Sequence, residues 1–166
     1  MKEQPTLPAR ELDAEAAARV RSSFSRQGLM RHLGAVLAEV KPGQVSIQLP
    51  FREELTQQHG FFHAGSTSAI ADSAGGYAGF TLFPADSSVL SVEFKINLLA
   101  PARGDYLEAI GSVVRSGRTL TICQLEVFAV TAAERTLVAL GQQTLMCMRG
   151  RQDADASKAD KGAGDK

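Results

Sequence analysis

From residue 64 to residue 83 the chain runs on alanine, glycine, serine and apolar side chains, with one charge among them, Asp72, and it stops at Pro84. Proline cannot continue a helix, so the stretch predicts one central helix over about 64–83. Four runs rich in β-branched and apolar residues follow without another helix, at about 89–99, 106–115, 119–131 and 136–148. Turn-like breaks at 101–105, 116–117 and 132–135 separate them. Links this short cannot cross over to make parallel pairs, so consecutive strands must be antiparallel. One buried helix followed by strands alone restricts the chain to an α+β domain, in which an antiparallel sheet of five or six strands lies on the helix.

Upstream, Leu12, Ala16, Val20 and Phe24 recur on one face amid alanines and charges, which predicts an amphipathic N-terminal helix over about 11–27, ended by Gly28. The runs 33–40 and 45–50, joined by Lys41-Pro42-Gly43-Gln44, read as a hairpin. These elements make a single domain over 1–150. The tail 151–166 carries no apolar side chain larger than alanine, cannot repay its ordering entropy, and is expected to be disordered.

Charge and composition exclude several functions. Lysine plus arginine equals aspartate plus glutamate at 18 each, which leaves no net field for a nucleic acid or an anionic membrane. There is no apolar run long enough for a bilayer and no signal-like N-terminus, so a cytoplasmic protein is expected. Cys123 and Cys147 lack the spacing of a redox pair or zinc site and read as buried thiols.

On the central helix Gly65, Ser68, Asp72, Gly76 and Gly79 form one stripe. Gly75, Gly76 and Gly79 sacrifice roughly 2–3 kcal/mol of helix propensity relative to alanine, so something must approach closely: a backbone, a partner helix or a ligand. An aspartate in such a lane either faces solvent or stands in a lined site. The backbone N–H groups of residues 63–65 fall at the helix N-terminus, unpaired and positively polarised, and can serve as an oxyanion donor. A carbonyl bound there lies about 10–12 Å from Asp72 along its own helix, so a second subunit is the natural way to complete the site.

Other chemistries fit less well. His59 and His63 have i, i+4 spacing but sit in a predicted loop with no third ligand nearby, so no metal is expected. Ser66, Ser68 and Ser73 lack a G-x-S-x-G setting, and one helix cannot give a Ser-His-Asp triad its geometry. The turn at 115–119 is either an ordinary solvated turn or, through Arg118, a grip on phosphate. Phe61 and Phe62 read as core or as lining of an apolar pocket.

The HAG at 63–65, the ADSAGGYA at 71–78 and the SVEFKINLLAPARGD at 91–105 together resemble the acyl-CoA thioesterases of the hotdog fold, in the branch of the phenylacetyl-CoA and Arthrobacter-type 4-hydroxybenzoyl-CoA thioesterases. The likeness spans about residues 33–148. It implies a sheet wrapped round one long helix, a homodimer with a continuous sheet, and often a dimer of dimers, a homotetramer. It further implies that Asp72 is the catalytic base or nucleophile, that the Ala64 N–H polarises the thioester carbonyl, that Gln57 orients water or substrate, and that Ser91 holds a polar place in the site. Ala64 stands where the family usually has a glycine. Strict alternation puts Ser91 in phase with Glu93, Lys95 and Asn97, opposite Val92, Phe94, Ile96 and Leu98, and so away from its own helix.

The candidate catalytic set is Asp72, Ala64, Gln57 and His63, and the candidate substrate-binding set is Gly65, Ser91, Phe62 and Arg118. The reaction expected is hydrolysis of an acyl-CoA to free acid and CoA, without metal or other cofactor, in a homo-oligomer. Alternatives on the same fold are an acyl-thioester hydratase or dehydratase, whose catalytic histidine motif is missing here, and a non-catalytic acyl-CoA binding protein.

Overall fold

Apolar side chains at alternate positions of the strands supply one buried face: Val45, Ile47 and Leu49, then Leu107 and Ala109, then Cys123, Leu125, Val127 and Ala129. The computed structural model describes residues 13–151. In order, these form α1 (Ala14–Arg26), α2 (Gly28–Leu33), β1 (Val36–Lys41), β2 (Gln44–Pro50), a short 3-10 turn (Glu53–Leu55), α3 (Ala64–Phe80), β3 (Ser87–Leu98), β4 (Tyr106–Ser116), β5 (Leu120–Val130) and β6 (Arg135–Arg149). The six strands make one antiparallel sheet in the order β1-β2-β4-β5-β6-β3, with β1 and β3 at its edges.

The helix α3 is buried on nearly all sides from Ser66 to Phe80, as a segment this poor in charge must be. It lies against the sheet with little between the two backbones. A Cβ added at Gly111 of β4 would stand closer than 3.0 Å to the Ala74 carbonyl and the Gly75 nitrogen. A Cβ at Gly75 would meet Leu125 and Gln143, and one at Gly79 would meet Leu145, each likewise inside 3.0 Å. The close approach expected at the glycine lane is therefore made by the sheet at Gly75 and Gly79, whereas Gly76 has nothing within 4 Å.

Three boundaries differ from the sequence reading. Gly28 does not end the first helix: Gln27, at φ −68° and ψ 108°, breaks it, and Gly28 opens α2. Gly34, left-handed at φ 75°, closes α2, so Leu33 ends a helix and the strand begins only at Val36. The central helix stops at Phe80 and not near residue 83. Its end is fixed from outside, because the Arg19 guanidinium of α1 donates to the carbonyls of Phe80 (2.9 Å), Phe83 (2.9 Å) and Pro84 (2.5 Å) while stacking over the Phe80 ring. Of these, Phe80 is the last residue of the helix and its carbonyl also accepts the Phe83 N–H at 3.2 Å, and a cation suits the negative end of the helix dipole. The beginning of the expected N-terminal helix, Glu11 and Leu12, and the expected tail beyond Arg151 lie outside the described residues.

Edge strand β3 leaves Leu90, Val92, Phe94 and Leu98 exposed, between 42% and 57% of their surface. Both cysteines are buried free thiols. Burial pushes the Cys123 thiol up to about 12, and its Sγ donates to the Gly75 carbonyl at 3.5 Å.

Gly111→Ala should destabilise the fold by about 2–3 kcal/mol, since the added methyl meets helix backbone that cannot rotate aside. Urea unfolding checks this. An unchanged midpoint would contradict the direct contact of α3 with β4.

Candidate active site

The loop before α3 is tied to the body of the protein on both sides. Thr56 and Phe62 form an isolated antiparallel bridge, the Phe62 N–H donates to the Ala102 carbonyl at 3.0 Å, and the His63 N–H donates to the Leu55 carbonyl at 2.8 Å. Between them the chain turns at Gly60, φ 77°, where the Gly60 N–H reaches the Gln57 carbonyl. Phe62 is buried edge-on to Phe51, with ring centroids 5.4 Å apart. The Gln57 side-chain carbonyl accepts the His59 N–H, which pins Gln57 to its own turn.

His63 then starts the helix. It is the N-cap residue, with extended backbone, and its Nδ1 accepts the Gly65 N–H at 2.8 Å. Accepting there, Nδ1 carries no proton. The Thr67 N–H bonds the His63 carbonyl at 3.1 Å, which leaves the Ala64 and Ser66 N–H groups of the first turn without a hydrogen-bond acceptor among the described residues. Gln57, Phe61, Phe62 and Ala64, with Leu98 and Val138 opposite, line a cavity of about 310 Å³.

Asp72 stands two turns further along α3 and is half-buried. Its Oδ1 accepts the Ser91 hydroxyl at 2.7 Å and the Gln143 amide Nε2 at 2.5 Å. The same amide donates to the Ser91 Oγ at 3.0 Å and to the Asp72 backbone carbonyl at 3.2 Å. Among the described residues nothing donates to Oδ2, so that oxygen is free to take a proton from water or to attack an electrophilic carbon.

Ser91 is a correction to the alternation reading. It faces α3, and so does Leu98, which period 2 would put on the opposite side. The reason is a bulge: Ser91 pairs with Leu145 and Glu93 with Thr144, so Val92 is an extra residue that inverts the phase.

The expected site residues therefore fall into two clusters on one helix. Gln57, Phe62, His63, Ala64 and Gly65 gather at its N-terminus, and Asp72 and Ser91 meet eight residues on, about 12 Å along the axis. Arg118 joins neither and sits in the exposed β4–β5 turn. Gln143 was missed by sequence reasoning. The available signal was a polar side chain in the inward phase of Leu145 and Cys147 on β6. Among the described residues, no three His, Cys, Asp or Glu side chains converge as metal ligands. Nor is any helix among them long and apolar enough to cross a membrane.

Comparison with known proteins bears on the same segment. Residues 59–135, which hold His63, Asp72 and Ser91, match the profile of the thioesterase superfamily. A protein of Halobacterium salinarum, provisionally named an esterase, is 33% identical over 143 residues, covering 81% of this chain and 94% of its own length. The crystal structure of a thioesterase family protein from Silicibacter pomeroyi superposes with a TM-score of 0.79 at 44% identity, over 81% of this chain and 99% of that one. The PaaI protein of the E. coli phenylacetic acid degradation operon shares the fold, with a TM-score of 0.74 at 20% identity over 85% of this chain and 99% of its own.

If His63 serves as the cap of α3, His63→Ala should lower stability by about 1 kcal/mol, and His63→Asn, which keeps an acceptor, should recover most of it. Chemical denaturation of the three proteins decides. Equal stability of His63→Ala and wild type would contradict the cap.

Proposed function

The chain belongs to the thioesterase superfamily, with the hotdog sheet and central helix of its relatives, and from that premise we propose that it hydrolyses an acyl-CoA thioester to a free acid and CoA. The observation that carries the reading is the Asp72 carboxylate, held through Oδ1 by Ser91 and Gln143 and open at Oδ2.

In this reading the thioester carbonyl sits at the N-terminus of α3, its oxygen on the Ala64 N–H. That donor, reinforced by the helix dipole, stabilises the negative charge that builds on the oxygen as the carbonyl carbon becomes tetrahedral. Asp72 acts through Oδ2, either taking a proton from the attacking water or attacking the carbon itself to form an anhydride that water then cleaves. The thiolate of CoA leaves, and the acid follows. Gln57, Phe62 and Gly65 shape the approach to the helix end, and the apolar cavity beside them takes the acyl group.

Eight helical residues separate base from oxyanion donor, so the two come from different chains. What supports a second copy is β3: an edge strand with a row of exposed apolar side chains beside Asp72's partner Ser91. Pairing β3 with its symmetry mate continues the sheet, buries that row and forms two equal sites. We take the protein to be a homodimer or a dimer of dimers, working in the cytoplasm, where two buried free thiols stay reduced.

Asp72→Asn keeps the shape of the side chain and removes its basicity. Turnover of the best acyl-CoA in a panel, read as released thiol, should fall by about 10²–10⁴ while acyl-CoA still binds. A folded variant within about threefold of wild type would end the mechanism, and binding without turnover by both proteins would make this an acyl-CoA binding protein. Light scattering should give a multiple of the 17.7 kDa chain mass, and a monomer at micromolar concentration would contradict the shared site.

A further inference from the structure

Gln143 is 1% exposed, on β6, opposite Cys123 on one side and Phe94 on the other. A buried amide among such neighbours is costly unless its hydrogen bonds are made. Here only half are made. Nε2 serves three oxygens, Asp72 Oδ1, the Asp72 carbonyl and Ser91 Oγ, whereas the buried Oε1 has no partner. The opposite orientation of the amide would set Oε1 against a carboxylate, so the orientation is dictated by Asp72. The protein tolerates the unsatisfied carbonyl, and it keeps a mid-helix glycine, Gly75, where a Cβ would overlap Oε1 as well as Leu125. An apolar residue at 143, beside Leu125 and Leu145, would leave no carbonyl unsatisfied. The remaining explanation for a glutamine is what it does to Asp72.

We propose that Gln143 is the positioning residue of the active-site carboxylate: it fixes the rotamer of Asp72, engages Oδ1 so that reaction passes through Oδ2, and, by donating to the Ser91 oxygen, turns the Ser91 O–H onto the same Oδ1. The proposal rests on Asp72 being the reactive group of a thioesterase. Gln143 touches no reacting atom and acts only through Asp72 and Ser91. Gly75 belongs to the same device, because only a residue without a side chain lets the amide pass between β6 and α3 to the carboxylate.

Two variants and one spectrum test it. Gln143→Leu should lower kcat by about 10- to 100-fold at every pH with KM within about twofold, as misplacement of a reacting group does. Gln143→Glu keeps the shape and gives a pH signature. While the new carboxyl is protonated its O–H replaces the amide donor, and once ionised it repels Asp72. Its kcat relative to wild type should therefore be within roughly threefold while that carboxyl holds its proton and fall as rising pH ionises it, an ionisation that burial beside Asp72 shifts above the ordinary carboxylate range. A Gln143→Leu kcat within about twofold of wild type, with or without a lower melting temperature, would reduce Gln143 to a packing residue and overturn the proposal. The NMR signals of the Gln143 side-chain amide read the contact without any turnover: they should shift clearly in Asp72→Asn, and their staying in place would overturn it as well. Failure of the wild type to cleave any thioester would strike the proposed function, and the amide signals would still decide whether Gln143 holds Asp72.

Discussion

The direct contact between α3 and the sheet sets everything else in the structure. With no side chain at Gly111, β4 meets the helix backbone at Ala74, and with none at Gly75 the helix meets Leu125 and Gln143. Helix and sheet are thereby locked in rotation as well as distance, and the phase that puts Gly75 onto β5 and β6 carries Asp72, three residues earlier, toward the β3 edge. Arg19 closes the far end of the same helix on the carbonyls of Phe80, Phe83 and Pro84, and His63 closes the near end on Gly65. A helix of such low intrinsic propensity holds its place because its contacts and caps over-determine it.

That geometry splits the proposed chemistry between two ends of one rod. The oxyanion donor is a property of the first turn, where the cap uses the Gly65 N–H and leaves those of Ala64 and Ser66. The carboxylate belongs to the third turn, where Ser91 and Gln143 converge. No rotamer of Asp72 spans the interval. The edge strand β3 carries Ser91 and, past the bulge, the exposed Phe94 on the carboxylate's side of the sheet, and offers the seam along which a second helix end can arrive.

Much of this was legible in the sequence for a simple reason: helix and strand periods leave marks in the order of residues. Asp72 stood out as the one charge in an apolar helix, and the helix rise alone argued for two chains. What escaped depends on contacts distant in sequence or on a break in a period. The phase of Ser91 failed because one extra residue at Val92 inverts a two-residue alternation without altering composition. The end of α3 failed because Arg19, some sixty residues away, sets it. On paper Gly28 ends the first helix, whereas the left-handed glycine that closes a helix there is Gly34. Gln143 carried a faint signal, a polar side chain in an inward phase, whose meaning appears only when Asp72 is beside it.

The shared site can be tested by complementation. Ala64→Pro removes the proposed oxyanion N–H where proline is best tolerated, the first helical position, after a His63 already extended at φ −65° and ψ 142°. Asp72→Asn removes the carboxylate, and each variant alone should be nearly inactive. Co-refolded in equal amounts, half of the dimers carry one chain of each kind, and one of their two sites unites an intact Asp72 with an intact Ala64 N–H. Activity should return to roughly a quarter of wild type. A mixture as inactive as its components would show that both groups must lie in one chain, and the two-chain account would fail.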